Sequence, residues 1–166
     1  GRRIRAPAQP DGGGMRSGEP TASVMGDTPR MQPAYSPAPV VVVGFGNQIF
    51  GLDPASGRRL WAYEGGPKGK ENPVRLIVHG ARIYAVSNGL LHILVYPTGA
   101  LVSTSKVPTP HGTFALLDGR LYAAGHGAVS CFDLEGRLLW QEPFSGHGEG
   151  VVALGVPGYG VQGDVT

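Results

Sequence analysis

The stretch Gly51-Leu52-Asp53-Pro54-Ala55-Ser56-Gly57-Arg58-Arg59-Leu60-Trp61 reads as the end of one strand, a tight turn and the start of the next. Asp and Ser side chains bond the amides of their own turn. Gly adopts the backbone conformation that a side chain would forbid, and the Trp ring offers a large flat face to a neighbouring sheet. The stretch recurs as Asp133-Leu134-Glu135-Gly136-Arg137-Leu138-Leu139-Trp140, one residue shorter in the turn. A degenerate copy lies between them, in which Thr98-Gly99 survives while Val95 stands for the Asp and Ser103 for the Trp. Gly57, Gly99 and Gly136 are 42 and 37 residues apart.

Outward from each turn, the same arrangement of short β-rich runs repeats. Val40–Gly44 and Ile49–Leu52 flank Gly46-Asn47. Arg75–Val78, Arg82–Val86 and Leu91–Val95 are separated by His79-Gly80 and Asn88-Gly89, and Thr113–Leu117, Arg120–Ala124 and Val129–Phe132 by Asp118-Gly119 and His126-Gly127. Arg82-Ile83-Tyr84-Ala85 returns as Arg120-Leu121-Tyr122-Ala123 at a separation of 38. Turns such as Asn88-Gly89 supply the positive φ that two-residue hairpins require. A period near forty built from four short strands is the signature of propeller blades. The expected fold is all-β, with about three four-stranded β-propeller blades over 40–65, 73–106 and 112–144 within a domain of 40–166.

The turn motif resembles the tryptophan-docking repeat of the pyrroloquinoline quinone (PQQ) propeller family, whose pattern is Ala-x-Asp-x-x-Thr-Gly-Lys-x-x-Trp. Asp53, Gly57 and Trp61 match outright, and Gly51, Ser56 and Arg58 are conservative departures. The resemblance covers about residues 40–154. It implies structural, blade-docking roles for Asp53, Ser56, Gly57, Trp61, Thr98, Gly99, Asp133, Gly136 and Trp140. The middle blade is expected to dock more weakly, because Ser103 cannot fill a Trp-sized gap.

Both ends of this array depart from the repeat. Residues 1–39 hold seven of the 15 prolines and six glycines. Each proline removes a donor and fixes φ, and so little apolar surface cannot offset the entropy of ordering; a flexible Pro/Gly-rich arm is expected there. Pro37-Ala38-Pro39 stands where the first unit's initial strand should be. Gly150-Val151-Val152-Ala153-Leu154-Gly155 resembles the first strand of a further blade. Closed propellers commonly complete one blade from both chain ends, so a closing strand is expected over 150–155, with Val151, Val152, Ala153 and Leu154 as interface candidates. Three blades are too few for a ring. Either two copies close a six-bladed ring, hiding their sheet edges, or further blades come from sequence beyond this stretch or from another polypeptide. The glycine-rich 155–161 suits another short strand or an exposed contact. A start at Gly1-Arg2-Arg3 without Met fits a processed protein or a piece of a longer one.

Composition narrows the function classes. Of 14 Lys+Arg and 12 Asp+Glu, residues 1–39 hold five and three, leaving nine of each in the remainder. A neutral domain without a basic stripe gives no reason to expect nucleic acid; Arg2-Arg3-Ile4-Arg5 reads as part of a solvated tail. No apolar run approaches a membrane span. The single Cys131 excludes an intrachain disulfide and, within an apolar strand pattern, reads as a buried inert thiol. His79, His92, His111, His126 and His147 lack metal-ligand spacing and suit turn and surface roles. A quinoprotein dehydrogenase would need clustered carboxylates for calcium and a base, whereas Asp53, Asp118 and Asp133 fall in turns and Glu142, Glu149 and Asp164 are scattered. No catalytic, cofactor-binding or metal site is therefore expected. Short-looped propellers with degenerate repeats resemble non-enzymatic proteins of bacterial outer-membrane assembly and related envelope complexes, which bind extended protein partners along sheet edges. The expectation is a non-enzymatic scaffold of a cell-envelope or other extracytoplasmic assembly, binding proteins and itself as a homo-oligomer. The alternatives are part of a quinoprotein dehydrogenase or a structural component of a virion or surface fibre.

Overall fold

A computed structural model describes residues 38–66, 74–108, 112–148, 152–157 and 159–161. Of the expected arm over 1–39, residues 1–37 lie outside these, as do His111, Glu149, Val151 and Asp164. The described residues form β-strands and turns without a helix, and none provides a helix able to cross a membrane.

Among the described residues, thirteen strands form the sheets. The first sheet has three, in the order β1 (Val41–Phe45), β2 (Gln48–Leu52) and β3 (Arg59–Glu64). The second has four: β4 (Arg75–His79), β5 (Arg82–Ser87), β6 (Leu90–Val95) and β7 (Leu101–Lys106). The third likewise has four: β8 (Thr113–Leu117), β9 (Arg120–Gly125), β10 (Ala128–Phe132) and β11 (Leu138–Pro143). All neighbours are antiparallel and consecutive in the chain, as tight hairpins dictate. Asn88, Asp118 and His126 take φ of 52, 48 and 48°, at the hairpin turns where short polar side chains best tolerate that conformation.

The last two strands of each sheet carry the repeated turn. In all three, a β-bulge falls at the same place: between Gly51 and Leu52, between Ile93 and Leu94, and between Cys131 and Phe132. β1 therefore corresponds to β5 and β9, the second strands of their blades. Within the described residues, the first sheet has no counterpart of β4 and β8.

The strand expected over 150–155 lies instead at β12 (Leu154–Val156), with Val152 and Ala153 ahead of it. It pairs with β13 (Tyr159–Val161) and packs beside β8. Pro157 and Gly158 sit between the two strands. A turn that short makes the following strand the partner with the lowest closure entropy. β12 thus takes the place beside β8 that β8 takes beside β4.

Core side chains fill the seams between sheets. Ile49 packs against Ile83, Ala85 and Leu94, flanked by Val42, Trp61, Tyr63, Val74, Leu76 and Tyr96. Tyr84, Val86, Leu91, Ile93 and Val107 of the second blade meet Phe114, Leu121, Ala123 and Phe132 of the third. This second seam gathers more buried side chains than the first, so it is filled without a Trp at Ser103.

Candidate functional site

The turn side chains act on their own hairpins. Asp53 accepts from the Ala55 amide through Oδ1 (2.9 Å) and from the Ser56 hydroxyl through Oδ2 (2.7 Å). The Arg58 amide donates to Ser56 Oγ at 3.2 Å. These bonds, the Ser56 hydroxyl first, hold the Asp53 carboxyl below its ordinary range. Asp133 Oδ1 accepts from the Glu135 and Arg137 amides at 3.1 and 2.8 Å. In the degenerate copy the Ala100 amide reaches Thr98 Oγ1 at 3.4 Å. The backbone closes alike in each case, with Gly57, Gly99 and Gly136 donating to the carbonyls of Asp53, Val95 and Asp133 at 2.8, 2.8 and 3.1 Å. Because the hairpin closes around Val95, its shape comes from backbone and glycine, and Asp adds support.

Trp61 reaches from the first sheet to the turn of the second. Its Nε1–H donates to the Pro97 carbonyl at 2.6 Å. The ring lies against the next blade's turn glycine, so that a Cβ on Gly99 would fall 2.5 Å from ring carbons. On its own sheet the ring covers Gly51, its cross-strand partner, where a Cβ would collide with the indole. Both glycines are required by close approach, and Gly99 also by its φ of +74°.

The second seam solves the same problem with sizes exchanged. Ile93 stands where Gly51 does, and Ser103 where Trp61 does. A Cβ on Gly136 would then fall 3.0, 3.1 and 3.5 Å from Ile93 Cδ1, Ser105 Oγ and Leu91 Cδ2. The volume lost at Ser103 is recovered on the adjacent strand, so the seam stays filled.

At the end of the third blade the device is present without a seat. Trp140 follows Gly136 by four residues, as Trp61 follows Gly57, but stands 42% exposed, tilted against Tyr122 at 6.0 Å between centroids. Its cross-strand partner is Cys131 rather than glycine, so the ring cannot lie flat as Trp61 does. Leu138, Leu139 and Phe144 are exposed on or beside the same edge strand. Cys131 is fully buried and its thiol is pushed up by burial. At the other end, Phe45 is 69% exposed and the Arg59 guanidinium covers the Phe50 ring at 4.4 Å.

The first seam also carries polar contacts that the repeat pattern does not reveal. Asn88 Nδ2 donates to Asn47 Oδ1 at 2.7 Å, the Tyr96 hydroxyl meets the Val40 backbone, and Tyr63 Oη lies 3.0 Å from His92 Nδ1. His92 is thus a buried seam residue rather than a turn or surface one, whereas His79 and His126 are exposed. The one sequence signal was its place inside a strand. Among the described residues no three His, Cys, Asp or Glu gather as a metal site.

Antiparallel four-stranded sheets, docked face to face through repeated turns, define blades of a β-propeller. A family model described as outer membrane protein assembly factor BamB matches residues 16–156, and the chain belongs to that family of PQQ-type repeats. Among solved structures it is similar to BamB from Moraxella catarrhalis, at 28% identity over 63% of this chain and 33% of that one, with a TM-score of 0.48. It is also similar to U3-55K, at 18% identity over 68% and 37% of the two chains with a TM-score of 0.54, a likeness of fold alone. A third similar structure is the glutaminyl cyclase of Myxococcus xanthus, at 17% identity over 58% and 42% with a TM-score of 0.43. The chain spans about a third of the length of the first two. No curated protein matches it.

Proposed function

We propose that this chain is a non-enzymatic, protein-binding scaffold of an outer-membrane or other cell-envelope assembly. The observation that carries this reading is Trp140, exposed in the register where Trp61 is seated on the following blade. An exposed Trp beside Leu138, Leu139 and Phe144 has the composition of an interface anchor, and the BamB description of the family fits such a role. The carboxylates of the turns are occupied with their own amides, which argues against a dehydrogenase.

A second copy of the chain is one partner the geometry accommodates. Among the described residues, no atom lies within 4 Å of where a Cβ on Gly57 would sit, so this turn offers the seat that Gly99 gives Trp61. A Trp140-to-Gly57 contact joins unlike surfaces, and two such contacts close a ring. In that ring β12 would exchange its partner β13 for the open side of β1, leaving Val152–Leu154 at the junction.

Light scattering and a photo-crosslinker at Leu139 test both levels. The scaffold reading expects high-mass adducts at Leu139 in intact envelopes, lost on Trp140→Ala; the absence of adducts overturns it. Self-association expects a native mass above one chain, a single-chain mass for both Trp140→Ala and Gly57→Phe, and recovery of a dimer when the two variants are mixed. A well-folded wild-type monomer removes self-association and leaves foreign partners. An absorbance band appearing with added pyrroloquinoline quinone and calcium would reinstate the enzyme.

A further inference from the structure

His92 lies at the seam of the first two blades with 2% of its surface exposed. Its ring meets Tyr63 edge-on, with centroids 5.6 Å apart, and Nδ1 shares a hydrogen bond with the Tyr63 hydroxyl at 3.0 Å, in a direction set by the tautomer. The other nitrogen, Nε2, is buried without a hydrogen-bond partner among the described residues. Gly65 sits directly over it: a Cβ there would be 3.2 Å from Nε2. Gly65 is held in place by the hydrogen bond its backbone N–H donates to the Asn47 carbonyl at 2.8 Å.

We propose that His92 is an acid-sensitive latch between the first and second blades: neutral, it closes the seam through Tyr63, and protonated, it loosens β1–β3 from β4–β7. A neutral imidazole here leaves one nitrogen unsatisfied. An imidazolium donates from both nitrogens and places a whole charge in an apolar seam beside Ile83, Ala85 and Leu94. The titratable group opposite is Tyr63, which burial keeps neutral. His92 is flanked across its own sheet by Ala85 and Thr104. Lys106, two residues beyond Thr104 on the same face, is exposed. No carboxylate acts on the ring from the described residues; the Ser87 backbone favours the charged form, but burial outweighs it and lowers the imidazole below its ordinary 6.5.

The sign follows from linkage. The unfolded chain takes up the proton first, so the His92 contribution is complete above 6.5 and falls as pH drops through that value toward the lower folded one. The corresponding positions in the flanking blades are Phe50 and Ser130, which do not titrate in this range, so the acid response belongs to one seam. This inference does not depend on the scaffold reading.

Amide exchange on the full chain, corrected for intrinsic rates, tests it. Protection of β1–β3 relative to β8–β10 should fall several-fold, and by no more than about tenfold, between about pH 7.5 and 5.5, because the proton taken up by the open seam holds it open. His92→Gln should abolish the fall. If that variant does not fold, the His92 imidazole resonances of the wild type decide, since their titration must coincide with the loss of protection. A titration with unchanged protection, or an equal fall in His92→Gln, overturns the proposal.

Discussion

Trp61 and Trp140 occupy one register, and what lies beneath each ring separates them. Trp61 covers Gly51 and Gly99 and donates to Pro97; Trp140 stands over Cys131 beside Tyr122, with solvent on its outer side. Trp61→Phe removes a hydrogen bond from a partly buried carbonyl and part of the seam's area, and should cost about 1–2 kcal/mol in urea unfolding. Trp140→Phe should stay within about 0.5 kcal/mol unless a partner is bound. Asp53 behaves differently again. Its lowered carboxyl means the native chain binds fewer protons than the unfolded one. Its contribution is therefore present above the unfolded value of 3.8 and lost as pH falls through the folded one. Amide shifts of Ala55 and Ser56 should move in that acid range and be flat in Asp53→Asn.

At the scale of the element, each seam needs one large and one small residue on the last two strands, in either order. Gly51 with Trp61, and Ile93 with Ser103, are the two solutions. Gly51→Ile should destabilise strongly by colliding with the indole, and Trp61→Ser should leave a cavity. Together they recreate the second blade's arrangement. The double mutant should be more stable than the sum of the two changes predicts, with a coupling of about 1–3 kcal/mol measured by a double-mutant cycle. Additivity would mean that the two positions do not share one volume.

Over the whole array, the second blade is the only described sheet with a packed seam on each face. Its inner strands β5 and β6 should therefore exchange most slowly, and the exposed edge strand β11 most quickly. Cys131 gives an independent measure of the third blade's outer face. The thiol is buried and pushed up, so a thiol reagent should label it only as fast as that face opens. A partner seated on Trp140 should slow the labelling further, and unaltered rates with partner bound would place the contact elsewhere.

The glycine spacing, the hairpin turns and the paired tryptophans were legible in the chain because each is a local requirement. Positive φ needs glycine or a short polar residue, a strand needs alternation, and a turn needs donors within a few residues. From these alone came the all-β repeat and the strands that open at Arg75 and Thr113. What lay across a seam was not local. That Ile93 makes good the volume missing at Ser103, that His92 faces Tyr63 from 29 residues away, and that β12 pairs with β13 beside β8 depend on which sheet faces meet and at what height. Packing decides those matters, because a close-packed seam is filled by whichever neighbour reaches it, and reach is set by the fold rather than by position along the chain.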